Sequence, residues 1–205
     1  MNSISITWNG HSCFTVEKDG FSIVFDPYGP NTVPGLASLT ADMILCSHEH
    51  GDHGYTDAVT LKHSGAKNPF SITKIDTWHD PEQGALRGPN RIHILESDGL
   101  KIAHMGDIGC PLTREQKDLL KHLDAILIPV GGYYTIDAVQ AKAVVDDLAP
   151  RVVIPMHYRS DHFGYPVIGR LEEFTGLCRN VVEYDSNTLV LTAETRPQTA
   201  VLKLK

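Results

Sequence analysis

The feature that most constrains this chain is a histidine-rich cluster at residues 47–53, which reads Ser47-His48-Glu49-His50-Gly51-Asp52-His53. The cluster places three of the chain's 11 histidines within six residues. A short apolar segment at residues 43–46 comes directly before it and is predicted to be a strand. Three imidazoles held close together repel each other when protonated, so they are usually tolerated only where something binds them. The cluster therefore predicts a metal site at the end of a strand.

The spacing within the cluster predicts places for two metal ions. In an extended segment that leaves a strand, residues two apart point to the same side, so His48 and His50 can bind one ion together. Gly51 lets the chain turn sharply, after which Asp52 and His53 face a neighbouring position. Imidazole nitrogens and carboxylate oxygens suit zinc, and also iron or manganese. A solvated polar loop is the alternative interpretation, although chance produces this pattern in only about two or three of a thousand chains of this composition.

Further ligands are expected elsewhere in the chain, because a loop with four ligands cannot saturate two ions. The candidates that directly follow predicted strands are His79, Asp107 and His157. The strand before His79 is expected to end near Thr77, and the other two strands at Met105 and Pro155. All three candidates therefore lie at junctions between a strand and a loop.

The order of these residues resembles the motifs of the metallo-β-lactamase superfamily, over most of the length of the chain. In chain order, the matching residues are Asp26, the cluster His48-x-His50-x-Asp52-His53, His79, Asp107 in Met105-Gly106-Asp107, and His157 in Pro155-Met156-His157-Tyr158. The resemblance implies an α+β fold, a four-layer αβ/βα sandwich. It also implies a hydrolase with two divalent metal ions, of which zinc is the first choice and Mn²⁺ or Fe²⁺ the alternatives.

The same resemblance assigns roles to the individual residues. His48, His50 and His79 would bind the first metal ion. Asp52, His53 and His157 would bind the second. Asp107 would bridge the two ions, and Asp26 would support the ligand loop from behind without binding metal.

Two other segments resemble the superfamily branch that contains L-ascorbate-6-phosphate lactonase. They are Trp8-Asn9-Gly10-His11-Ser12-Cys13-Phe14 and Gly131-Gly132-Tyr133-Tyr134-Thr135-Ile136-Asp137. The expected reaction is cleavage of a small lactone, ester or phosphate ester by a hydroxide held between the two metals. Asp52 is predicted to orient that hydroxide and to accept its proton.

Two other function classes are weighed against this hydrolase. One is a phosphodiesterase or nuclease of the same fold, which the formal charge of -7 and the scattered 18 lysines and arginines disfavour. The other is a non-hydrolytic metal-binding or redox protein, which would need a flavin partner domain. The expected partner is a small molecule, and no nucleic acid is expected. No membrane is expected either, because no apolar segment approaches the roughly 20 residues that span a bilayer. The predicted location is the cytoplasm, and the oligomeric state is left open.

Several residues outside the motifs have two readings each. His11 is either a substrate-facing residue near the site or a structural histidine. One of Tyr133 and Tyr134 is expected to touch substrate, while Asp137 is expected to start a helix. Arg159 and His162 could meet an anionic group, although exposed loop charge is the commoner explanation. The remaining side chains of interest are predicted to be non-ligands or structural thiols, and they are His63, His93, His104, His122, Cys13, Cys46, Cys110 and Cys178.

The hydrophobic pattern predicts one domain over residues 1–205, built from two β-sheets between helices. Strands are predicted at residues 4–7, 14–16, 21–25, 43–46, 92–96, 100–104, 125–129, 152–155, 188–192 and 199–204, with a further strand pair within 69–75. Helices are predicted at residues 56–62, 113–122, 136–148 and 171–177. The Gly/Pro-rich segment 28–36 is expected to be a surface loop near the mouth of the site.

Overall fold

The computed structural model of the protein describes residues 2–30, 32, 38–62 and 64–204. The strands of these residues are β1 (Ser3–Gly10), β2 (Cys13–Lys18), β3 (Phe21–Phe25), β4 (Leu39–Ala41), β5 (Met43–Leu45), β6 (Val59–Leu61), β7 (Ser71–Trp78), β8 (Pro89–Ser97), β9 (Leu100–His104), β10 (Ala125–Pro129), β11 (Val152–Met156), β12 (Val181–Glu183), β13 (Thr188–Thr192) and β14 (Gln198–Val201). The α-helices are α1 (Arg114–Leu119), α2 (Ala138–Leu148) and α3 (Leu171–Thr175).

The first sheet has five strands in the order β13-β1-β2-β3-β5. Strands β1, β2 and β3 form an antiparallel meander, and β5 joins β3 in parallel. The turn between β2 and β3 uses Asp19 and Gly20, both at positive φ (51° and 78°). This conformation matches the right-handed twist of the flanking strands, and Gly20 adopts it without strain. The parallel pairing of β5 with β3 leaves the histidine-rich cluster at the end of this sheet.

The second sheet has seven strands in the order β12-β14-β11-β10-β9-β8-β7. Strands β7, β8 and β9 form an antiparallel meander. On the other side of β9, the strands β10, β11, β14 and β12 follow in this order, each parallel to the strand before it. Helices α1, α2 and α3 connect successive parallel strands. Parallel strands place their carboxyl ends at one edge of the sheet, so the loops after β9, β10 and β11 meet there.

The core lies between the two sheets. Alternate residues of β1, such as Ile4 and Ile6, are fully buried, whereas the residues between them are only partly buried. Every residue of β10 is buried, as expected for a central parallel strand covered on both faces. This arrangement confirms the predicted α+β sandwich.

Two predicted elements are wrong. The helix expected at residues 56–62 is a short 3₁₀ turn, Thr56–Ala58, followed by β6. Strand β6 pairs in parallel with β4, so its backbone groups form hydrogen bonds with a neighbouring strand. A helix of only seven residues is marginally stable by itself, so the strand is favoured here. The strand pair expected within residues 69–75 is the single strand β7, paired with β8 over its whole length.

The predicted loop at residues 28–36 lies mostly outside the described residues, as does His63. Its first residue, Tyr28, is not at the surface. It is buried, and its hydroxyl donates a hydrogen bond to the Asn9 carbonyl at 2.7 Å. No helix among the described residues is long and apolar enough to cross a membrane.

Candidate metal centre

The histidine-rich cluster forms a tight loop after β5. The backbone N–H groups of His53 and Gly54 both donate to the His50 carbonyl, at 2.9 and 2.7 Å. The chain makes the turn expected at Gly51 without a positive φ at that residue. The tight position is Gly54, where a Cβ atom would lie 3.2 Å from the His48 carbonyl oxygen. The loop therefore turns back on its own backbone and brings its side chains to one place.

The structure places the predicted ligands in three overlapping groups, each with ligand atoms within 4.8 Å of one another. The first group is His48, His50 and His79, the set implied for the first ion. The second group is His11, Asp52, His53 and His157, which is the set implied for the second ion with His11 added. The third group is His48, His53 and Asp107. The residues that the sequence assigned to metal binding are thus brought together.

Asp107 lies between the two sets of histidines. Its Oδ2 atom is 3.1 Å from Nε2 of both His53 and His157, and 3.3 Å from Nε2 of His79. Ligand atoms bound tetrahedrally to zinc at its usual bond lengths lie about 3.3 Å apart. The spacing around Asp107 therefore fits a carboxylate that contacts ions on both sides.

Several buried polar atoms of the centre have no hydrogen-bond partner among the described residues. They are Nε2 of His48 and His53, Oδ1 of Asp107, and both ring nitrogens of His11 and His157. A buried polar atom without a partner destabilises a folded protein by about 1–3 kcal/mol. Their concentration at one point fits a site in which the lone pairs of these nitrogen and oxygen atoms bind cations.

Asp26 organises the ligand loop from behind, as the sequence predicted. Its carboxylate accepts hydrogen bonds from the Ser47 backbone N–H at 2.7 Å and the Ser47 hydroxyl at 2.6 Å, and it lies 2.8 Å from His53 Nδ1. Burial would raise the pKa of Asp26, but His104, His53 and Ser47 outweigh burial and lower it to about 2. An ionised Asp26 holds the proton of His53 on Nδ1, so Nε2 is left to face the centre.

Two other histidines of the centre, His48 and His79, are oriented in a similar way. His48 Nδ1 lies 2.9 Å from the Ser47 hydroxyl oxygen, and His79 Nδ1 lies 3.1 Å from the Tyr134 carbonyl. Burial, followed by the charge of His53, lowers the pKa of His48 to about 3. His48 is therefore neutral at pH 7, which is the form of imidazole that binds a metal.

His11 approaches the centre from the turn between β1 and β2. Its Nε2 is 3.3 Å from Asp52 Oδ2, and its ring centroid is 4.2 Å from that of His157. Burial, followed by the charge of His157, lowers the pKa of His11 to about 4. The sequence left two readings for this residue, and the structure places it among the candidate ligands.

The second sheet supplies the remaining ligands. His79 follows β7, Asp107 follows β9, and His157 follows β11. Gly106 has φ 56°, and a Cβ atom there would lie 2.3 Å from Asn90 Oδ1. The same Asn90 oxygen accepts the Asp107 backbone N–H at 2.8 Å, so a glycine next to Asp107 is needed for this close approach.

A cavity of about 320 Å³ opens onto the centre. Its walls are His50, Asp52, His79, Arg87, Asp107, Tyr134 and Tyr165. Of the two predicted substrate tyrosines, Tyr134 lines this cavity, whereas Tyr133 is 64% exposed and lies outside it. Arg87 and Tyr165 were not singled out from the sequence.

None of the predicted non-ligand histidines that the structure describes belongs to a candidate group. His93 and His104 are buried, with His104 Nδ1 4.0 Å from Asp26 Oδ2, and His122 is exposed. Burial raises the pKa of the Cys110 thiol, which lines a neighbouring cavity and not the metal cavity. Arg159 donates to the Ile168 carbonyl at 2.7 Å and does not line the metal cavity.

Asp80, next to His79, is a second organising residue that the sequence did not reveal. Its buried carboxylate accepts backbone N–H groups of Glu82, Gly84, Leu86 and Arg87, at 2.8, 3.0, 3.1 and 2.7 Å. These bonds outweigh the effect of burial and lower the pKa of Asp80. The loop from residue 81 to residue 88 is therefore folded around one carboxylate, and it carries Arg87 to the cavity wall.

Known proteins are similar to this chain in sequence and in fold. A family profile described as a beta-lactamase superfamily domain matches residues 5–157. A UPF0173 metal-dependent hydrolase of Thermococcus onnurineus is 29% identical, over 88% of this chain and 94% of that protein. The structure of a metallo-beta-lactamase superfamily protein from Thermotoga maritima is 31% identical, with a TM-score of 0.76 over 98% of this chain and 100% of that one.

Igni18, a metallo hydrolase from Ignicoccus hospitalis, has a TM-score of 0.69 and is 25% identical, over 94% of this chain and 100% of that one. The relatives carry the name of metal-dependent hydrolases, and this chain has a histidine and aspartate cluster fit for metal at the place where the fold brings its loops together. The chain therefore belongs to the metallo-β-lactamase superfamily and is a metal-dependent hydrolase.

Proposed function

We propose that this hydrolase uses two divalent metal ions to cleave a small lactone, ester or phosphate ester. The observation that carries the proposal is the position of Asp107, whose Oδ2 lies within 3.3 Å of histidines from both predicted ligand sets. A site for one ion would not need a buried carboxylate between two groups of histidines.

The residues that would hold each ion follow from the three groups. His48, His50 and His79 would bind the first ion, and Asp52, His53 and His157 the second, with Asp107 between them. Zinc suits this set of imidazoles and carboxylates best, with Mn²⁺ or Fe²⁺ as alternatives. Such ions, when bound, supply a water that ionises near neutral pH and polarise the bond to be broken.

Asp52 is the residue that we assign to proton transfer. Its carboxylate lines the cavity, and its Oδ2 is held 3.3 Å from His11 Nε2. Burial would raise the pKa of Asp52, but the contact with His11 and the charge of His53 lower it. Asp52 is therefore ionised at neutral pH and can orient a water molecule and accept its proton at a carboxylate oxygen.

The size of the cavity and the net charge of the chain support a small-molecule substrate. A cavity of about 320 Å³ holds a compact molecule, and the net charge of -7 argues against a nucleic acid. The UPF0173 metal-dependent hydrolases carry no substrate in their name, so kinship with the lactonase branch stays a prediction. Four free cysteines agree with the predicted cytoplasmic location.

The experiment is a hydrolysis panel of lactones, carboxylic esters, phosphomonoesters and phosphodiesters, run with and without chelator. We expect activity on one class, lost on chelation and restored by zinc. Asp52→Ala should lower turnover at least about 100-fold, the usual effect of losing a general base. Asp57→Ala, an exposed aspartate nearby, is the matched control and should keep full activity. Near-normal turnover of a folded, metal-loaded Asp52→Ala variant would contradict the role of Asp52.

A further inference from the structure

A second and larger cavity adjoins the metal cavity. Its volume is about 580 Å³, and it shares Arg87 and Tyr134 with the metal cavity as wall residues. The two cavities therefore meet at these two side chains. A molecule that occupied both cavities would contact these two side chains.

The walls of the second cavity include an apolar surface. Part of it comes from the loop after β9, with Pro111 and Leu112, and part from α2 and the residue before its N-cap, with Ile136, Ala143 and Val144. A concave apolar surface beside a reactive centre is the usual form of a substrate subsite. The charged wall residues Lys117 and Asp147 pair with each other at 2.7 Å, so the apolar part of the wall is what remains to contact a hydrocarbon part of a substrate.

Arg87 lines both cavities and is one of five arginines for which the described structure shows no ion pair. Arg91, Arg151 and Arg170 each pair with an aspartate. In the part of the chain that the structure describes, no carboxylate lies within ion-pair distance of Arg87. Its guanidinium carbon instead lies 5.7 Å from the centroid of the Tyr134 ring, and the side chain is only partly exposed.

The backbone of Arg87 is fixed although its side chain is unpaired. Its N–H donates to the Asp80 carboxylate at 2.7 Å, and Asp80 directly follows the candidate ligand His79. The position of Arg87 relative to the metal centre is thus set by two adjacent residues. A partly buried, unpaired guanidinium on a fixed backbone is suited to bind a carboxylate or phosphate through two parallel hydrogen bonds.

From these contacts we propose that the substrate is a small amphipathic anion. Its carboxylate or phosphate group binds Arg87 at the junction of the cavities, its hydrocarbon part occupies the second cavity, and its hydrolysable bond lies at the metal centre. The inference rests on the proposed hydrolytic function for the last of these positions only. The first two are binding statements that can be tested without turnover.

The first test measures binding of straight-chain carboxylates, from acetate to octanoate, and of the matched neutral amides to the zinc-loaded protein by calorimetry. A parallel series of alkyl phosphates covers the other anion. Each added CH₂ should tighten binding about fourfold until the cavity is full. Arg87→Gln should weaken binding of at least one anion series about tenfold or more and leave the amides unchanged. Arg91→Gln, outside both cavities, is the matched control and should change neither.

The second test fills the cavity. Ala143→Phe, at an exposed position of α2 that lines the cavity, should abolish the effect of chain length and leave acetate binding unchanged. Val139→Phe adds the same ring to the same helix at an exposed position outside the cavity, and should retain the effect. Affinity that does not depend on chain length, or anion binding that Arg87→Gln does not weaken, would overturn the proposal.

Hydrolysis assays on the same proteins separate the two proposals. Binding that follows the expected pattern with no hydrolysis of any ester, lactone or phosphate would uphold the subsite and contradict the proposed function. Hydrolysis that is indifferent to Arg87→Gln and Ala143→Phe would uphold the function and overturn the subsite.

Discussion

His11 illustrates how the backbone conformation of one residue serves the candidate centre. It has φ 49°, a left-handed conformation that destabilises a residue other than glycine by roughly 1–2 kcal/mol. In return, the turn directs a buried imidazole towards Asp52 and His157. Neither ring nitrogen of His11 has a hydrogen-bond partner in the described structure. This is explained if one of the two nitrogens binds a metal ion.

We expect that His11→Asn weakens binding of the second metal ion. Asn tolerates a positive φ, so the turn should keep its shape while the imidazole is lost. The affinity of the second ion should fall about 10- to 100-fold, as is usual when a residue around a metal site is removed. Metal content after dialysis against limiting zinc, measured by mass spectrometry, checks this result.

His122→Asn is the matched control, because His122 also has a positive φ (58°) but is exposed and belongs to none of the candidate groups. It should bind zinc like the natural protein. Two tightly bound ions in His11→Asn would show that His11 is structural.

At the residue scale, the sequence identified the candidate ligands that the structure brings together, but only one of the residues that hold them in place, Asp26. His79, Asp107 and His157 were found because each follows a strand and has a metal-binding side chain. Tyr165 has no such signal, since it lies in an irregular segment between β11 and α3. Asp80 had only a weak signal in the sequence, namely a carboxylate followed by glycines at 84 and 88. That four backbone N–H groups bind this carboxylate cannot be deduced from such spacing alone.

At the scale of elements, prediction succeeded where local residues define the ends. The bounds of β3, β10 and β13 agree with the predicted ranges, and the N-caps Thr113 and Asp137 start their helices as expected. Prediction failed for β4, β6 and β12, which have three residues each. Strands this short are stabilised by partners distant in the sequence, so local propensity carries little information about them.

Strand β8 places a histidine in the core, where it should make stability depend on pH. Burial, followed by the charge of His104, lowers the pKa of His93 to about 4. The value in an unfolded chain is about 6.5. Between these pH values the unfolded chain binds a proton that the folded protein does not, so the free energy of unfolding falls as the pH is lowered.

His93→Leu should reduce this dependence on pH. The contribution of His93 is at most about 3 kcal/mol between pH 6.5 and 4, since one proton changes the free energy by about 1.4 kcal/mol per pH unit. Urea unfolding of the metal-free proteins from pH 7 to pH 4 measures it. The histidines of the metal centre are the same in both proteins, so their titration cancels in the difference.

Ile92→Val is the control for a destabilised core. It should lower the free energy of unfolding by about 1 kcal/mol at every pH, without a change of slope. Parallel curves for His93→Leu and the natural protein would refute the role of His93.

At the scale of the whole molecule, the metal centre lies where the two sheets meet. The histidine-rich cluster follows β5 of the first sheet. His79, Asp107 and His157 follow strands of the second sheet. The sequence predicted this convergence through the order of its motifs, but the pairing of β13 with β1 that completes the first sheet joins distant parts of the chain and has no local signal.

Metal ions at this position would connect the two sheets, so chelation should destabilise the whole fold and not only the ligand loop. Zinc at 100 times its dissociation constant stabilises the folded state by about 2.7 kcal/mol. For a protein of this size, the melting temperature should then drop by roughly 5–10 °C on chelation. Differential scanning calorimetry at constant pH, with and without chelator, measures the shift. Asp107→Ala, which lacks the carboxylate between the ligand sets, should show a much smaller shift. Equal melting temperatures for the natural protein with and without zinc would mean that the ions contribute nothing to holding the sheets together.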